Sequence, residues 1–415
     1  VLAYGFNPRE AARSFEAATR LDPACALCWW GLAWSLGPTI NADMAPEDAA
    51  TVADAAQRAR KLSARLPPAR RAMVEALAAR HPTADRLDEA GYAALLRSAA
   101  KRHPGDADLA MRWPAAAMLA AEALLNLHPY DWWTDEGKPQ PWTPEIVALL
   151  ERALRLAPDH PGANHYWVHL FESSAEPRRG LDAARRLEDL APGSGHLLHM
   201  PAHIYMRTGD YARASAANER SIEADRRYLA QVDAQGAYRV GYVAHNHHFL
   251  WASAAMEGRS RVALEAADAT WPAACGPKPG DYGTGTLQHY AVLPLYARVR
   301  FGKWDEILKQ TPPPDTDLPY PVAVWHFARG TAYARTGRLD AARRELAALE
   351  RTLADPRLPA AKVKNINLAE RLARIAALTL RAEILLADDR AAQAVPLLQQ
   401  AVTIEDALDY DEPHL

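Results

Sequence analysis

The stretch HPGANHYWVHLFESS, residues 160–174, sets His165 and His169 four residues apart, with Glu172 three further on. GHLLHMPAHIYMRTGDY, residues 195–211, repeats that spacing with His199 and His203, each 34 residues beyond its counterpart. On a helix, side chains three and four apart share one face, with Cβ atoms roughly 6 Å apart, so each pair forms a short imidazole stripe. Neutral imidazole is the commonest protein ligand for transition metals, binding at about 2.0–2.1 Å. Crowded imidazoles repel when protonated, and a bound cation removes that conflict. Metal coordination is the chemistry these stripes offer.

The interval of 34 residues implies repeated units that align the stripes. Each unit can be phased on its turn glycine (Gly209, Gly258, Gly302), with the preceding unit placed by Pro158. The inward positions of successive first helices are then Gly162, His165, His169; His196, His199, His203; His245, His248, Ala252; and His289, Val292, Tyr296. Histidine fills most of them although it supplies only 15 of 415 residues, so the stripes read as one shared pocket. His165, His169, His199, His203, His245 and His248 are the expected metal ligands. His196, His247, His289, Arg207, Tyr296, Trp132 and Trp133 are expected around them, orienting ligands or meeting substrate.

Glu172 is the one carboxylate on the stripe and reads as a general base or a further ligand, against a plainer pairing with Arg207. Tyr242 is a further candidate donor to substrate, whereas Tyr205 sits at a packing position. Met200 and Met206 flank the second pair; as thioether ligands they would favour Cu(I), as core residues they fill space. Many imidazoles and few carboxylates favour Cu, with Zn or Fe as alternatives, over Mg or Ca. Without a metal, the same stripes would make a polar groove for an acidic or peptidic ligand.

Ala, Leu, Arg and Glu recur at helical spacing nearly everywhere and strand signals are almost absent, which predicts an all-α chain. Residues 10–34 place Ala11, Phe15, Ala18 and Pro23 at the spacing of a tetratricopeptide repeat helix running into the next unit. RTGDYARA (207–214), EGRSRVA (257–263), FGKWDEI (301–307) and RTGRLDAA (335–342) each put glycine at an inter-helix turn. The expected fold is a tetratricopeptide-like solenoid over 1–415, with an N-terminal repeat at 1–36, central site-bearing repeats at 106–310 and C-terminal repeats at 322–415. Gly/Pro-rich insertions at 37–48, 128–145, 272–286 and 311–321 should interrupt the helices. In the second, Trp132, Trp133 and Trp142 would cap a cavity or simply pack over an edge.

A formal charge of -3 and 24% charged residues give no electrostatic case for nucleic acid, and Arg-rich runs such as RRAMVEALAAR read as solvated helix faces. No apolar run is long enough to span a membrane and no signal peptide is visible; the compartment is either cytoplasmic or, with a leader removed, periplasmic or secreted. Cys25 and Cys28 form a C-x2-C pair without a second pair to complete a zinc site, and read as small buried helix residues rather than a redox or metal pair. Phosphate-loop, nucleophile-elbow and H-E-x-x-H motifs are absent from the sequence.

The segments FNPREAARSF, DPACALCWWGLAWSLGPTIN, HPYDWW, HPGANHYWVH, GHLLHMPAHIYMRTGDY, YVAHNHHFLWA and LDYDEP resemble those of a widespread, largely uncharacterised bacterial group of tetratricopeptide-repeat proteins. The resemblance implies the repeat fold and no particular activity. Pro8 stands where that group reads FNH, implying one fewer possible ligand, and its members run on past YDEP, implying an array without a terminal cap. The leading expectation is a metal-dependent enzyme with a mono- or dinuclear His-rich site on the concave face, an oxidoreductase ahead of a hydrolase, acting on a small molecule or peptide. The alternatives are a non-enzymatic peptide-binding scaffold and a metal carrier.

Overall fold

The computed structural model describes residues 1–104, 116–232, 238–275, 285–313, 318–363 and 366–410. Over these the chain is an all-α helical-repeat protein. It forms two compact units, Val1–Gly209 and Asp210–Leu415, and the division falls at a repeat turn inside the block 106–310.

In the first unit, successive helices pack in pairs: Pro8–Leu21 on Ala26–Leu36, Ala49–Leu62 on Pro68–Arg80, Glu89–Arg102 on Ala116–Leu127. Alanines such as Ala33, Ala56, Ala59 and Ala76 are fully buried, which lets paired helices approach closely. Pro8, Pro68, Pro161 and Pro201 open their helices where the missing N–H has no intrahelical partner to lose. The histidine helices are Pro161–Glu172, followed by Leu181–Leu190, and Gly195–His199, continued by Pro201–Thr208. That last element departs from the expected unbroken helix: Pro201 has no amide to donate, and the ladder is interrupted at Met200. A short turn of helix, Ala3–Gly5, packs against both histidine helices.

The second unit repeats the same logic. Ala244–Met256 pairs with Ser260–Cys275, Gly285–Arg300 with Pro319–Arg335, Pro319–Arg335 with Leu339–Leu353, and Ala369–Ala387 with Ala391–Asp406. The turn glycines take the left-handed backbone their positions require, at φ 82° for Gly209, 76° for Gly258, 65° for Gly302 and 75° for Gly337.

Two expectations are corrected. Cys25 and Cys28 are half-buried and joined by a disulfide at the start of Ala26–Leu36; three-residue spacing brings two Sγ atoms together at a helix entry, where the first residue is not yet helical. The insertion at 272–286 begins later than expected, because Pro272 lies near the end of Ser260–Cys275 and forfeits only one late N–H bond. A two-stranded antiparallel hairpin, Lys362–Val363 with Asn367–Leu368, joins two helices of the second unit. Parts of 272–286 and 311–321, and the end of LDYDEP, lie outside the described residues.

Below the histidine helices, Glu122 is buried in Ala116–Leu127 and accepts from Trp34 Nε1 at 3.1 Å. Burial pushes its carboxyl up to about 7, opposed by the nearby Arg80 charge and by hydrogen bonds from Trp34 and Tyr166. Because the folded value lies above the unfolded one, only the folded chain holds this proton between about pH 4.5 and 7, and stability falls as pH rises through that window, by about 3 kcal/mol at its end. Glu122→Gln keeps the acceptor and removes the ionisation. Its Tm should exceed that of the unmutated chain at pH 8 and converge with it at pH 5; a gap independent of pH would refute the assignment.

Candidate metal centre

Helix Pro161–Glu172 is fixed at its start by two side chains. His160 caps it, with Nδ1 accepting from the Ala163 amide at 3.1 Å, and Asn164 Nδ2 donates to the carbonyls of Pro158 at 2.7 Å and His160 at 2.9 Å. From that base His165, His169 and Glu172 follow at the helical interval along one face, as expected. The neighbouring element presents His196, His199 and His203 to them. None of these six side chains is more than 3% exposed, so no charge here is dispersed by water.

The imidazoles meet nitrogen to nitrogen. His165 Nε2 lies 3.0 Å from His196 Nε2, and His199 Nε2 lies 2.7 Å from His203 Nε2. His169 joins the first pair, and one ligand nitrogen from each of His165, His169 and His196 falls within 4.8 Å of the others. Glu172 closes the arrangement: Oε1 lies 2.7 Å from Nδ1 of His169, and Oε2 forms an ion-pair contact with Nδ1 of His203. With Nδ1 of His169 engaged, the nitrogen left for coordination on that ring is Nε2.

Burial, and then the neighbouring imidazoles, hold His165 and His196 well below the usual histidine range; a hydrogen bond to the Tyr4 backbone partly opposes this at His165. Both rings are therefore neutral near pH 7. Two ligands about 2.05 Å from a common ion and 90–110° apart sit about 2.9–3.4 Å from each other. The 3.0 Å separation of His165 and His196 falls in that range.

Sequence reasoning missed the aromatic cover. Phe6 packs on three of the rings, with centroids 4.6 Å from His165, 5.1 Å from His196 and 5.9 Å from His169. Tyr130 stands edge-on to His169 at 6.1 Å and donates to Asn41. Among the described residues Phe6, Tyr130 and Asp389 are the non-glycines with positive φ, so two of the three touch these imidazoles. Such backbone costs about 1–2 kcal/mol each and persists only where surrounding packing enforces it. In the sequence, both aromatics lie in segments of the family resemblance, FNPREAARSF and HPYDWW; nothing else singled them out.

Other expected residues are placed as follows. Trp132 is fully buried beneath Tyr130, Trp133 Nε1 donates to the Leu170 carbonyl, and Trp142 donates to Asp131 while stacking on His128. The tryptophans thus anchor the loop, and Tyr130 is its residue on the histidines. Arg207 donates to the Ser174 carbonyl, and Tyr205 is buried with its hydroxyl on Glu188. In the second unit His248 stacks on Trp251 and lies 5.2 Å from His289, whose Nδ1 is 2.9 Å from the Tyr320 hydroxyl; Tyr296 lies 3.4 Å beyond. His245 packs on Phe249, Tyr242 on Tyr238, and burial lowers His247 to about 4.

The tetratricopeptide repeat family model matches residues 196–228, which begin at His196 and run through the Gly209 turn. The human IFIT1 dimer with m7Gppp-AAAA is similar over 96% of this chain and 86% of that one, at 13% identity and TM-score 0.37. The P58(IPK) TPR domain is similar over 96% of both chains, at 12% identity and TM-score 0.21. No curated protein matches the sequence.

The turn carrying Phe6 reaches the histidines only because Gly162 lacks a side chain: a Cβ there would stand 2.4 Å from the Tyr4 ring, itself packed on Trp34 and His160. Gly162→Ala should cost about 1–3 kcal/mol in urea unfolding. Gly193→Ala, where a Cβ meets nothing within 4 Å, is the control. Equal stability of the two variants would contradict this packing.

Proposed function

We propose that this helical-repeat protein is a metal-dependent enzyme whose ion is held by His165, His169 and His196. The observation that carries the reading is their convergence in a buried pocket, with three ligand nitrogens within 4.8 Å of one another. Three neutral imidazoles without a thiolate suit Cu, Zn or Fe, and copper stands highest in affinity order. When bound, such an ion supplies a Lewis acid and, for copper or iron, a one-electron couple.

The chain's own groups do the positioning. Glu172 accepts from Nδ1–H of His169, which fixes the tautomer and turns Nε2 inward. Its second oxygen faces His203, so the carboxylate is engaged on both sides and is poorly placed as a general base. This favours an oxidoreductase over a hydrolase. The cover formed by Phe6 and Tyr130 favours a small-molecule substrate over an extended peptide.

The test is elemental analysis of protein produced without a His tag. The unmutated chain should retain a transition metal, copper foremost, and His165→Ala/His196→Ala should retain less of it while keeping its helical circular dichroism. A content below ~0.1 equivalent in the unmutated chain under every metal supplied would overturn the reading and leave a binding scaffold. Azide or carbon monoxide should perturb the spectrum of the loaded protein, since catalysis needs an open position; inertness to both would favour a metal carrier. Glu172→Gln replaces the carboxylate acceptor at His169 Nδ1–H by a neutral amide, and metal affinity should fall about 10–100-fold.

A further inference from the structure

We infer that the same pocket holds a second ion, on His199 and His203, so that the centre is dinuclear and is loaded as Cu(I). The inference deepens the metal reading above and rests on it.

His199 and His203 also meet ring nitrogen to ring nitrogen, closer than the first pair. Their Nε2 atoms lie 2.7 Å apart, while those of His165 and His196 lie 3.0 Å apart, and both side chains are sealed from solvent. Yet they stand beside the first triangle, not in it. The ligand nitrogens of His165, His169 and His196 form one set within 4.8 Å of one another, and His199 and His203 fall outside that set.

Glu172 supplies the independent observation. One of its oxygens meets His169 of the first group and the other meets His203 of the second. The carboxylate therefore touches both groups, orienting His169 through a hydrogen bond and lying against His203. A single ion would need only one of these contacts, whereas two adjacent ions use both.

Charge selects the oxidation state. The five imidazoles and one carboxylate in this pocket are all within 3% of complete burial. With neutral rings and one carboxylate, two dications would leave about three uncompensated positive charges, and two monocations about one. Cu(I) is the monovalent ion that imidazole binds well.

Apo protein titrated with Cu(I) under nitrogen, against a chromogenic Cu(I) chelator, should take two equivalents. His199→Gln/His203→Gln should take one, and so should His165→Ala/His196→Ala. One equivalent in the unmutated chain, unchanged in His199→Gln/His203→Gln, would overturn the second ion and leave the first. A chain that takes one Zn or Fe but no Cu(I) would also overturn this inference alone; a chain that takes no metal would remove both readings. Should the variants fail to fold, X-ray absorption of the copper-loaded unmutated protein decides. Copper–copper scattering near about 3.5–4 Å is expected, and its absence overturns the proposal.

Discussion

A single buried carboxylate organises this pocket. Glu172 lies among imidazoles with almost no exposure, and an ion so placed persists only if its oxygens are met by donors. His169 hydrogen-bonds one oxygen, and His203 lies within ion-pair distance of the other. The two histidines come from different helices, so the carboxylate also sets how Pro161–Glu172 and Pro201–Thr208 face each other. His165 and His196 then close on one another through neutral nitrogens, because burial disfavours a proton on either.

The helical phase of the site was legible because two periodicities coincide. An interval of four puts His165 and His169 on one helix face, and an interval of 34 brings the next unit's face opposite it. Small residues at repeat positions and glycine at turns mark where each unit begins, and their left-handed backbone at Gly209, Gly258, Gly302 and Gly337 is what the punctuation implied. His196 was legible as a neighbour of the ligands, yet its contact with His165 places it in the first triangle. Position on a stripe gives the face a ring occupies, and the rotamer decides which nitrogen meets which.

The cover was not legible, for a different reason. Phe6 and Tyr130 belong to no helix, and their role depends on a positive φ that non-glycine residues seldom adopt. Sequence pattern ranks such residues as ordinary loop aromatics. The Cys25–Cys28 disulfide escaped for a related reason: three-residue spacing is compatible with two buried thiols, a metal pair or a bond, and only the local backbone selects among them.

The position of strain relative to the histidines bears on how the pocket works. Packing must hold Phe6 and Tyr130 against their backbone preference, and in each case the means is visible: the Phe6 ring rests on three imidazoles, and the Tyr130 hydroxyl is tied to Asn41. Gly162 and Gly5 extend this on the N-terminal side, since they let the Ala3–Gly5 turn sit directly on the histidine helices. A repeat array supplies aligned helices but leaves its inner face open; the segment before the first helix and the loop after Ala116–Leu127 supply the aromatic cover. The repeats set where the nitrogens converge, and these two non-repeating segments remove water from them. Both conditions are needed for neutral, closely spaced imidazoles at pH 7.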